Sequence, residues 1–183
     1  MKRCKWCNLN NPLYVKYHDE EWCKLNLDEA YLLEMLILES FQAGLSWEII
    51  LNKRENFRDA FDNFDIRKIA EYNDERVEIL LQNSGIIRSK QKINATISNA
   101  KILLDIQKEY GSFNNYLEGF HQGKIIYEID KTHNDLSIKI SKDLRRRGMK
   151  YVGEKIIYSF LQAIGIIYSH DENCFLYKNN PTL

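Results

Sequence analysis

Glu39 places a carboxylate where helical periodicity calls for an apolar residue. Leu32, Met35, Leu36 and Glu39 follow the i, i+3, i+4, i+7 spacing of one helical face. The stretch from Ser40 to Trp47 then adds a glycine, a serine and a large aromatic side chain close to that carboxylate. Two interpretations remain open from the pattern alone. Either Glu39 lines the wall of a pocket, or the helix ends there and the side chain turns to solvent.

Cysteine and histidine residues at the two ends of the chain have the types that bind a metal ion. The His170-x-x-x-Cys174 spacing lets an imidazole and a thiolate hold one tetrahedral ion, and Cys4, Cys7 and His18 are possible partners. Zinc is the natural ion for a mixed set. Four protein ligands would make the site structural and would join the two termini. The alternative is that these are scattered buried thiols and ordinary polar histidines.

The elements that must position these groups are predicted to be helical. Asn26 and Glu29 match a capping box before the helix that carries Glu39. Residues 125–127 could be extended, and the stretch from 123 to 135 has no regular pattern. Ser46 can cap the second helix, and either Asn73 or Asp74 can cap the fourth, which Gly85 ends. In chain order, the predicted helices span about 28–40, 47–61, 66–72, 73 or 74 to 85, 88–108, 113–120, 136–147 and 154–163.

The last two helices flank a sharp turn at Gly148 to Gly153, which gives a helix, hairpin, helix unit. Lys139 to Lys155 contains seven basic residues (139, 142, 145, 146, 147, 150, 155) and two acidic ones (143, 154), although the whole chain has a net charge of zero. A second acid-free basic segment, Ser84 to Lys101, is either a further basic face or an ordinary solvated helix face. The overall neutrality of the chain therefore conceals a local basic patch.

Bulk properties indicate one compact domain over 1–183. The length of 183 residues can bury a sizeable core, and only two prolines interrupt the chain. No apolar run is long enough to span a membrane, and the first residues lack the apolar region of a signal peptide. We therefore expect a cytoplasmic protein with four cysteines that serve as thiols or metal ligands.

Several motifs, in order along nearly the whole chain, resemble the DNA-3-methyladenine glycosylase I family, a branch of the helix-hairpin-helix glycosylases. The motifs are Arg3-Cys4-x-Trp6, Pro12-Leu13-Tyr14, Tyr17-His18-Asp19-x-Glu21-Trp22, Leu38-Glu39 with Gln42 to Trp47, Lys53-Arg54-Glu55, Gly85-Ile86-Ile87-Arg88, Arg147-Gly148, Val152-Gly153, Tyr158-Ser159-Phe160 and His170-x-x-x-Cys174.

The resemblance implies an all-α, two-lobed helix-hairpin-helix glycosylase fold with one structural zinc per chain. The implied ligands are Cys4, His18, His170 and Cys174, which leaves Cys7 out of the site. It also implies that Glu39 hydrogen-bonds the modified base, inside an aromatic pocket formed by Trp6, Tyr14, Tyr17 and Trp47.

The resemblance further implies how the chain holds DNA. A wedge at the Gly44-Leu45 turn fills the gap left by a flipped nucleotide, so Leu45 is the candidate plug. The hairpin grips the phosphate backbone through amide groups, with Gly148, Lys150, Val152 and Gly153 as the expected contacts.

Two departures from the wider superfamily accompany these expectations. Its hairpins carry Gly-x-Gly, whereas Tyr151-Val152-Gly153 retains only the second glycine. It also places a catalytic aspartate about twenty residues after the hairpin. Asp171 falls near that distance, but this branch works without such a residue, so we do not expect Asp171 to be catalytic.

The expected function is base-excision repair. A monofunctional glycosylase of this kind hydrolyses the N-glycosidic bond of 3-methyladenine in double-stranded DNA, leaves an abasic site, and is expected to act as a monomer. A non-catalytic DNA-binding module is one alternative, since it would also use the hairpin and the zinc but would need no pocket. A glycosylase with a wider range of alkylated bases is the other.

Overall fold

Ten helices and one pair of very short strands make up the fold in the computed structural model, which describes residues 1–178. The predicted domain over 1–183 thus extends five residues beyond the described part. The helices are α1 Pro12–Glu20, α2 Glu29–Gln42, α3 Trp47–Leu51, α4 Arg54–Ala60, α5 Ile66–Ala70, α6 Asp74–Gln82, α7 Lys90–Tyr110, α8 Phe113–His121, α9 Asp135–Arg146 and α10 Glu154–Ala163. A single 3-10 turn, Asp62–Phe64, follows α4, and strands β1 Ile126–Tyr127 and β2 Ile167–Tyr168 pair in parallel.

Helix α2 is the centre of the core. Ten of its residues are buried, and it contacts α3, α7, α8 and α10. Phe41 near its C-terminal end packs against the rings of Phe57 and Phe61, with centroids 4.8 and 5.6 Å away. A helix that is apolar on nearly all sides lies in the interior of a fold. Glu39 is therefore held inside the protein by its neighbours along the same helix.

The start of α2 differs from the predicted capping box. Asp28, not Asn26, is the N-cap, and its carboxylate accepts a hydrogen bond from the Tyr31 amide. The Glu29 carboxylate instead accepts from the amides of Phe113 and Asn114 at the start of α8, at 2.7 and 3.1 Å. The prediction was wrong because Glu29 has a long-range partner, which the local spacing of residues does not reveal.

The helix predicted over 47–61 is two helices, because the chain turns at Asn52 and Lys53 between α3 and α4. After the turn, Arg54 enters the core and pairs with Glu34 of α2 at 2.7 Å and with Glu21 at 2.6 Å. A buried guanidinium needs such partners to offset its desolvation. Burial alone would lower the pKa of Arg54, but the two carboxylates outweigh it and the pKa is raised.

Helices α9 and α10 and the hairpin between them confirm the predicted helix, hairpin, helix unit. Two side chains hold the hairpin from outside it. The Asn99 amide of α7 donates to the Lys150 carbonyl at 2.8 Å and accepts from the Lys150 amide at 2.9 Å. The Ser141 hydroxyl of α9 donates to the Val152 carbonyl at 2.7 Å. The hairpin is consequently a preorganised surface feature.

Candidate functional site

Glu39 lies in the wall of a cavity, and its side chain is turned away from solvent. The residue is 4% exposed, and its carboxylate makes no hydrogen bond or ion pair with any residue from 1 to 178. Burial raises the pKa of Glu39 to about 8. Desolvation disfavours the charged form of a carboxyl group, so a cationic ligand would compensate the cost of ionising it. The geometry agrees with the pocket interpretation and disagrees with the solvent-facing one.

The cavity has a volume of about 280 Å³ and aromatic walls. Trp6 contacts Tyr14 with ring centroids 5.1 Å apart, and Tyr17 contacts Trp47 at 5.3 Å. The structure thus brings all five predicted pocket residues together around one space. Burial raises the pKa of Tyr14 to about 12 and that of Tyr17 well above its usual value, so both phenols are neutral. The indole N–H of Trp47 is buried and has no acceptor in the described chain.

The polar part of the cavity wall was largely missed from the sequence. Ser159 and Gln162 lie three residues apart on α10, so both project from the same face of that helix. Tyr158-Ser159-Phe160 was among the resembling motifs, which is the one signal that pointed there. The remaining lining residues are Trp22, Gln42, Asp130, Lys131, Ser169 and Asp171.

Asp171 borders the cavity, but its carboxylate is engaged elsewhere. One oxygen accepts a hydrogen bond from the Lys5 amide at 2.8 Å. The Asp171 amide in turn donates to the Cys4 sulfur at 3.3 Å. These contacts favour a role in joining the two chain ends.

Four buried side chains from the two ends of the chain converge on one point. The donor atoms of Cys4, His18, His170 and Cys174 all lie within 4.8 Å of one another. Three of the sulfur-to-nitrogen distances are 3.4, 3.5 and 3.6 Å. A tetrahedral zinc with ordinary ligand distances would hold sulfur and nitrogen roughly 3.6 Å apart. The donor set therefore fits a tetrahedral metal ion.

The protonation chemistry of the cluster also suits a metal. Burial lowers the pKa of His170 to about 4, so its imidazole is neutral, which is the form that binds metals. Burial raises the pKa of Cys4 to about 12, so a thiolate there needs a positive neighbour. Asp19 contacts the His18 Nδ1 atom at 2.8 Å and is itself held by Arg3. A carboxylate in this position orients a metal-binding imidazole.

The other two thiols lie outside the cluster. The Cys7 sulfur is directed to the Tyr14 carbonyl at 3.9 Å, and the Cys23 sulfur accepts from the Ser169 amide at 3.3 Å. Cys7, which the spacing alone left as a possible ligand, is absent from the four-residue group.

The predicted DNA-contacting residues belong to two turns on the surface. Leu45 follows Gly44, whose φ of +80° is readily adopted only by glycine, and is partly buried against the core. In the hairpin, Gly148 has a φ of +99° and Lys150 is exposed. Val152 is 1% exposed, so its side chain belongs to the core and only its backbone can face a ligand. A Cβ atom built on Gly153 would meet no atom within 4 Å.

The basic patch predicted over Lys139 to Lys155 is partly neutralised. Arg147 pairs with Glu109 of α7 at 2.6 Å and with Asp143 at 2.7 Å, and Arg146 also pairs with Asp143. These carboxylates raise the pKa of Arg147 and hold its side chain against the fold. Lys150 is the cation of the hairpin itself, and its side chain is exposed to solvent.

A helical fold with a helix-hairpin-helix unit, an aromatic pocket built around a buried carboxylate and a four-ligand cluster defines a class of base-recognising, DNA-binding proteins. The methyladenine glycosylase family model matches residues 6–177, so the chain belongs to this family. DNA-3-methyladenine glycosylase 1 of Escherichia coli (strain K12) is 42% identical over 98% of this chain and 99% of its own length.

Two solved structures are similar to this chain over nearly its whole length. A crystal structure of 3-methyladenine DNA glycosylase I superposes with a TM-score of 0.92 at 42% identity, over 97% of this chain and 100% of that one. A structure of the Staphylococcus aureus protein, which describes its recognition of 3-methyladenine, gives a TM-score of 0.90 at 31% identity over 98% and 100% of the two chains. The expected family and the expected helical fold are confirmed. No helix within residues 1–178 is long and apolar enough to cross a membrane.

Proposed function

We propose that this protein is a monofunctional DNA-3-methyladenine glycosylase that hydrolyses the N-glycosidic bond of 3-methyladenine in double-stranded DNA. The observation that carries the proposal is Glu39. A buried carboxylate without a protein partner, facing an aromatic cavity, costs stability unless a ligand uses it. Family membership and the E. coli and S. aureus relatives support the same activity.

The chemistry of the substrate accounts for the residues in the pocket. An adenine methylated at N3 carries a positive charge in the nucleotide, so its glycosidic bond is weak and the base leaves readily. The faces of Trp6, Tyr14 and Trp47 attract a cationic ring at about 0.5–2 kcal/mol per contact. The Glu39 carboxylate accepts a hydrogen bond from the exocyclic amine. Little acid catalysis is needed, and selection comes from recognition of the charged base.

Access to the base requires that the nucleotide leaves the duplex, at a cost of a few kcal/mol. Leu45 would fill the space in the base stack. The amides of Tyr151, Val152 and Gly153 donate to no acceptor among residues 1–178, so they are available to a phosphate. The open space next to Gly153 supports this assignment, because the protein itself gives no steric reason for a glycine there.

The four-ligand cluster would hold one zinc ion in a structural role. Cys4, His18, His170 and Cys174 would supply all four ligands, so no coordination position remains for substrate. The bound ion would contribute to folding by joining the first residues to the last. None of the four cysteines forms a disulfide within residues 1–178, which suits the reducing cytoplasm, where we place the protein. The protein is proposed to act as a monomer.

Release of 3-methyladenine from methylated duplex DNA tests the proposal. The wild type should release the base, and Glu39→Gln should release it at least ~100-fold more slowly, which corresponds to about 2.7 kcal/mol. Glu48→Gln is a matched control, because Glu48 hydrogen-bonds Asn8 and Asn11 and does not line the cavity. A wild type that binds DNA but neither excises nor binds 3-methyladenine would favour the non-catalytic DNA-binding module. Release of 7-methylguanine at a comparable rate would indicate the wider base range.

A further inference from the structure

Lys92 makes the contacts that join the two turns expected to face DNA. It lies in the first turn of α7, in the acid-free segment from Ser84 to Lys101 that the sequence left without a role. The side chain is only partly exposed. Its ammonium group donates to the carbonyls of Phe41 and Ala43, at 2.7 and 2.6 Å. Lys92 is therefore directed into the fold, toward the end of α2.

These two carbonyls belong to the C-terminal end of α2, directly before Gly44 and Leu45. The last carbonyls of a helix have no partner within the helix, and the helix dipole makes this end negative. Helix α2 has no basic residue of its own in its last turn. Lys92 thus supplies from α7 the cation that this helix end lacks.

Gln42 completes the support of the same turn. Its carbonyl accepts from the Leu45 amide at 2.7 Å, and its side-chain amide donates to the Leu45 carbonyl at 2.8 Å. Because the Lys92 ammonium donates to the carbonyls of Phe41 and Ala43, the three consecutive carbonyls of residues 41–43 at the end of α2 all accept a hydrogen bond. The backbone around Leu45 is consequently held on both sides.

Lys92 also reaches the hairpin. Its ammonium nitrogen lies 5.8 Å from the centroid of the Tyr151 ring, within the range of a cation–π contact. Tyr151 has a left-handed φ of 56°, which a residue with a side chain adopts only when its surroundings require it. One ammonium group therefore touches both the end of α2 and the hairpin.

We propose that Lys92 is a positioning residue that fixes the turn carrying Leu45 relative to the hairpin, so that both meet the same duplex in one geometry. The inference rests on the proposed glycosylase function. It assigns Lys92 to the flipping step and not to the pocket, because none of its contacts reaches the cavity.

Single-turnover excision from a methylated duplex tests this role. In Lys92→Met the maximal rate should fall roughly tenfold, as expected when charge-assisted hydrogen bonds that preorganise a site are lost. The affinity for free 3-methyladenine should stay within about twofold of the wild type, because Glu39 and its aromatic neighbours are unchanged. Lys92→Arg, which keeps donors and charge, should recover most of the rate. Lys90→Met is the matched control, since Lys90 is exposed and, among residues 1–178, pairs only with Glu78.

Four results would overturn the role of Lys92. The first is an unchanged maximal rate in Lys92→Met, and the second is a fold-loss in affinity for free 3-methyladenine as large as the fold-loss in rate. The third is a failure of Lys92→Arg to recover the rate, and the fourth is an equal loss of rate in Lys90→Met. An increase in the enzyme concentration needed for half-saturation, at unchanged maximal rate, would identify a phosphate contact instead. A wild type that releases no 3-methyladenine would refute the proposed function itself, whereas full activity of Lys92→Met beside an active wild type refutes only the positioning role.

Discussion

Excision of 3-methyladenine should become faster as the pH rises toward 8, because Glu39 must lose a proton to pair with a cationic base. Burial raises the pKa of Glu39 to about 8, so the carboxyl group of the free protein is mostly protonated at neutral pH. Each pH unit below the pKa costs about 1.4 kcal/mol to ionise the group. At about pH 6 the cost is about 2.7 kcal/mol, or roughly a hundredfold in the apparent second-order rate.

The assay is single-turnover release of 3-methyladenine from methylated duplex DNA, with enzyme-free release subtracted at each pH. The logarithm of the rate at subsaturating enzyme should rise with a slope near one between about pH 6 and 8 and then level off. Glu39→Gln cannot ionise, so its residual rate should be independent of pH in this range. Equal wild-type rates at the two ends of the range, or the same slope in Glu39→Gln, would refute the assignment of the titrating group.

The same pKa has a consequence for stability. The ordinary pKa of a glutamic acid side chain is 4.5, and the folded-state value is higher, so the fold favours the protonated form. The contribution of this residue to stability is fully present below about pH 4.5 and is lost as the pH rises toward 8. At pH 7 the loss amounts to about 3 kcal/mol. Urea unfolding should therefore find that Glu39→Gln gains stability over the wild type as pH rises, and parallel pH profiles would contradict this.

Three further predictions concern the metal cluster, the hairpin and the core. Freshly purified protein should contain about one zinc per chain by elemental analysis, and Cys4→Ser should lose it while Cys7→Ser keeps it; a metal-free wild type would exclude the structural ion. Gly153→Ala should weaken duplex binding. The melting temperature should stay unchanged, because the added Cβ meets no protein atom within 4 Å. Gly119→Ala, on the exposed side of α8, is the control and should bind DNA normally. Glu29→Gln should lower the free energy of unfolding by about 1–3 kcal/mol in urea, because a charged acceptor for two α8 amides is lost; an unchanged midpoint would show that the contact adds no stability.

Local sequence patterns predicted a helix well where its own residues include the signals that start and end it. Helix α10 has the predicted bounds, Glu154–Ala163, because Gly153 precedes it and its apolar face is regular. Helix α1 was not predicted, although Asn11 caps it and Pro12 occupies its first position. Its apolar and polar residues are weakly segregated, since its buried side chains Tyr14, Tyr17 and His18 face a pocket and a ligand cluster.

Long-range pairing could not be read from local patterns. The sequence indicated a basic hairpin region, but Arg147 is neutralised by Glu109, a residue 38 positions away in the chain. The cavity was predicted from motifs around Glu39, yet its polar wall on α10 depends on how that helix packs against α2. Pocket composition is set by the packing of distant elements, so spacing within one segment cannot reveal it.

The ligand cluster and the cavity are built from neighbouring rings. Trp6 packs against His18 with centroids 5.3 Å apart and against Trp22 at 4.7 Å, and Trp22 packs against His170 at 4.8 Å. Both tryptophans also line the cavity. An ion that fixes the two imidazoles would therefore fix the part of the aromatic wall that Trp6 and Trp22 form. Because aromatic faces attract a cationic base only at a defined distance and angle, the structural site at the chain ends would support base selection as well as folding.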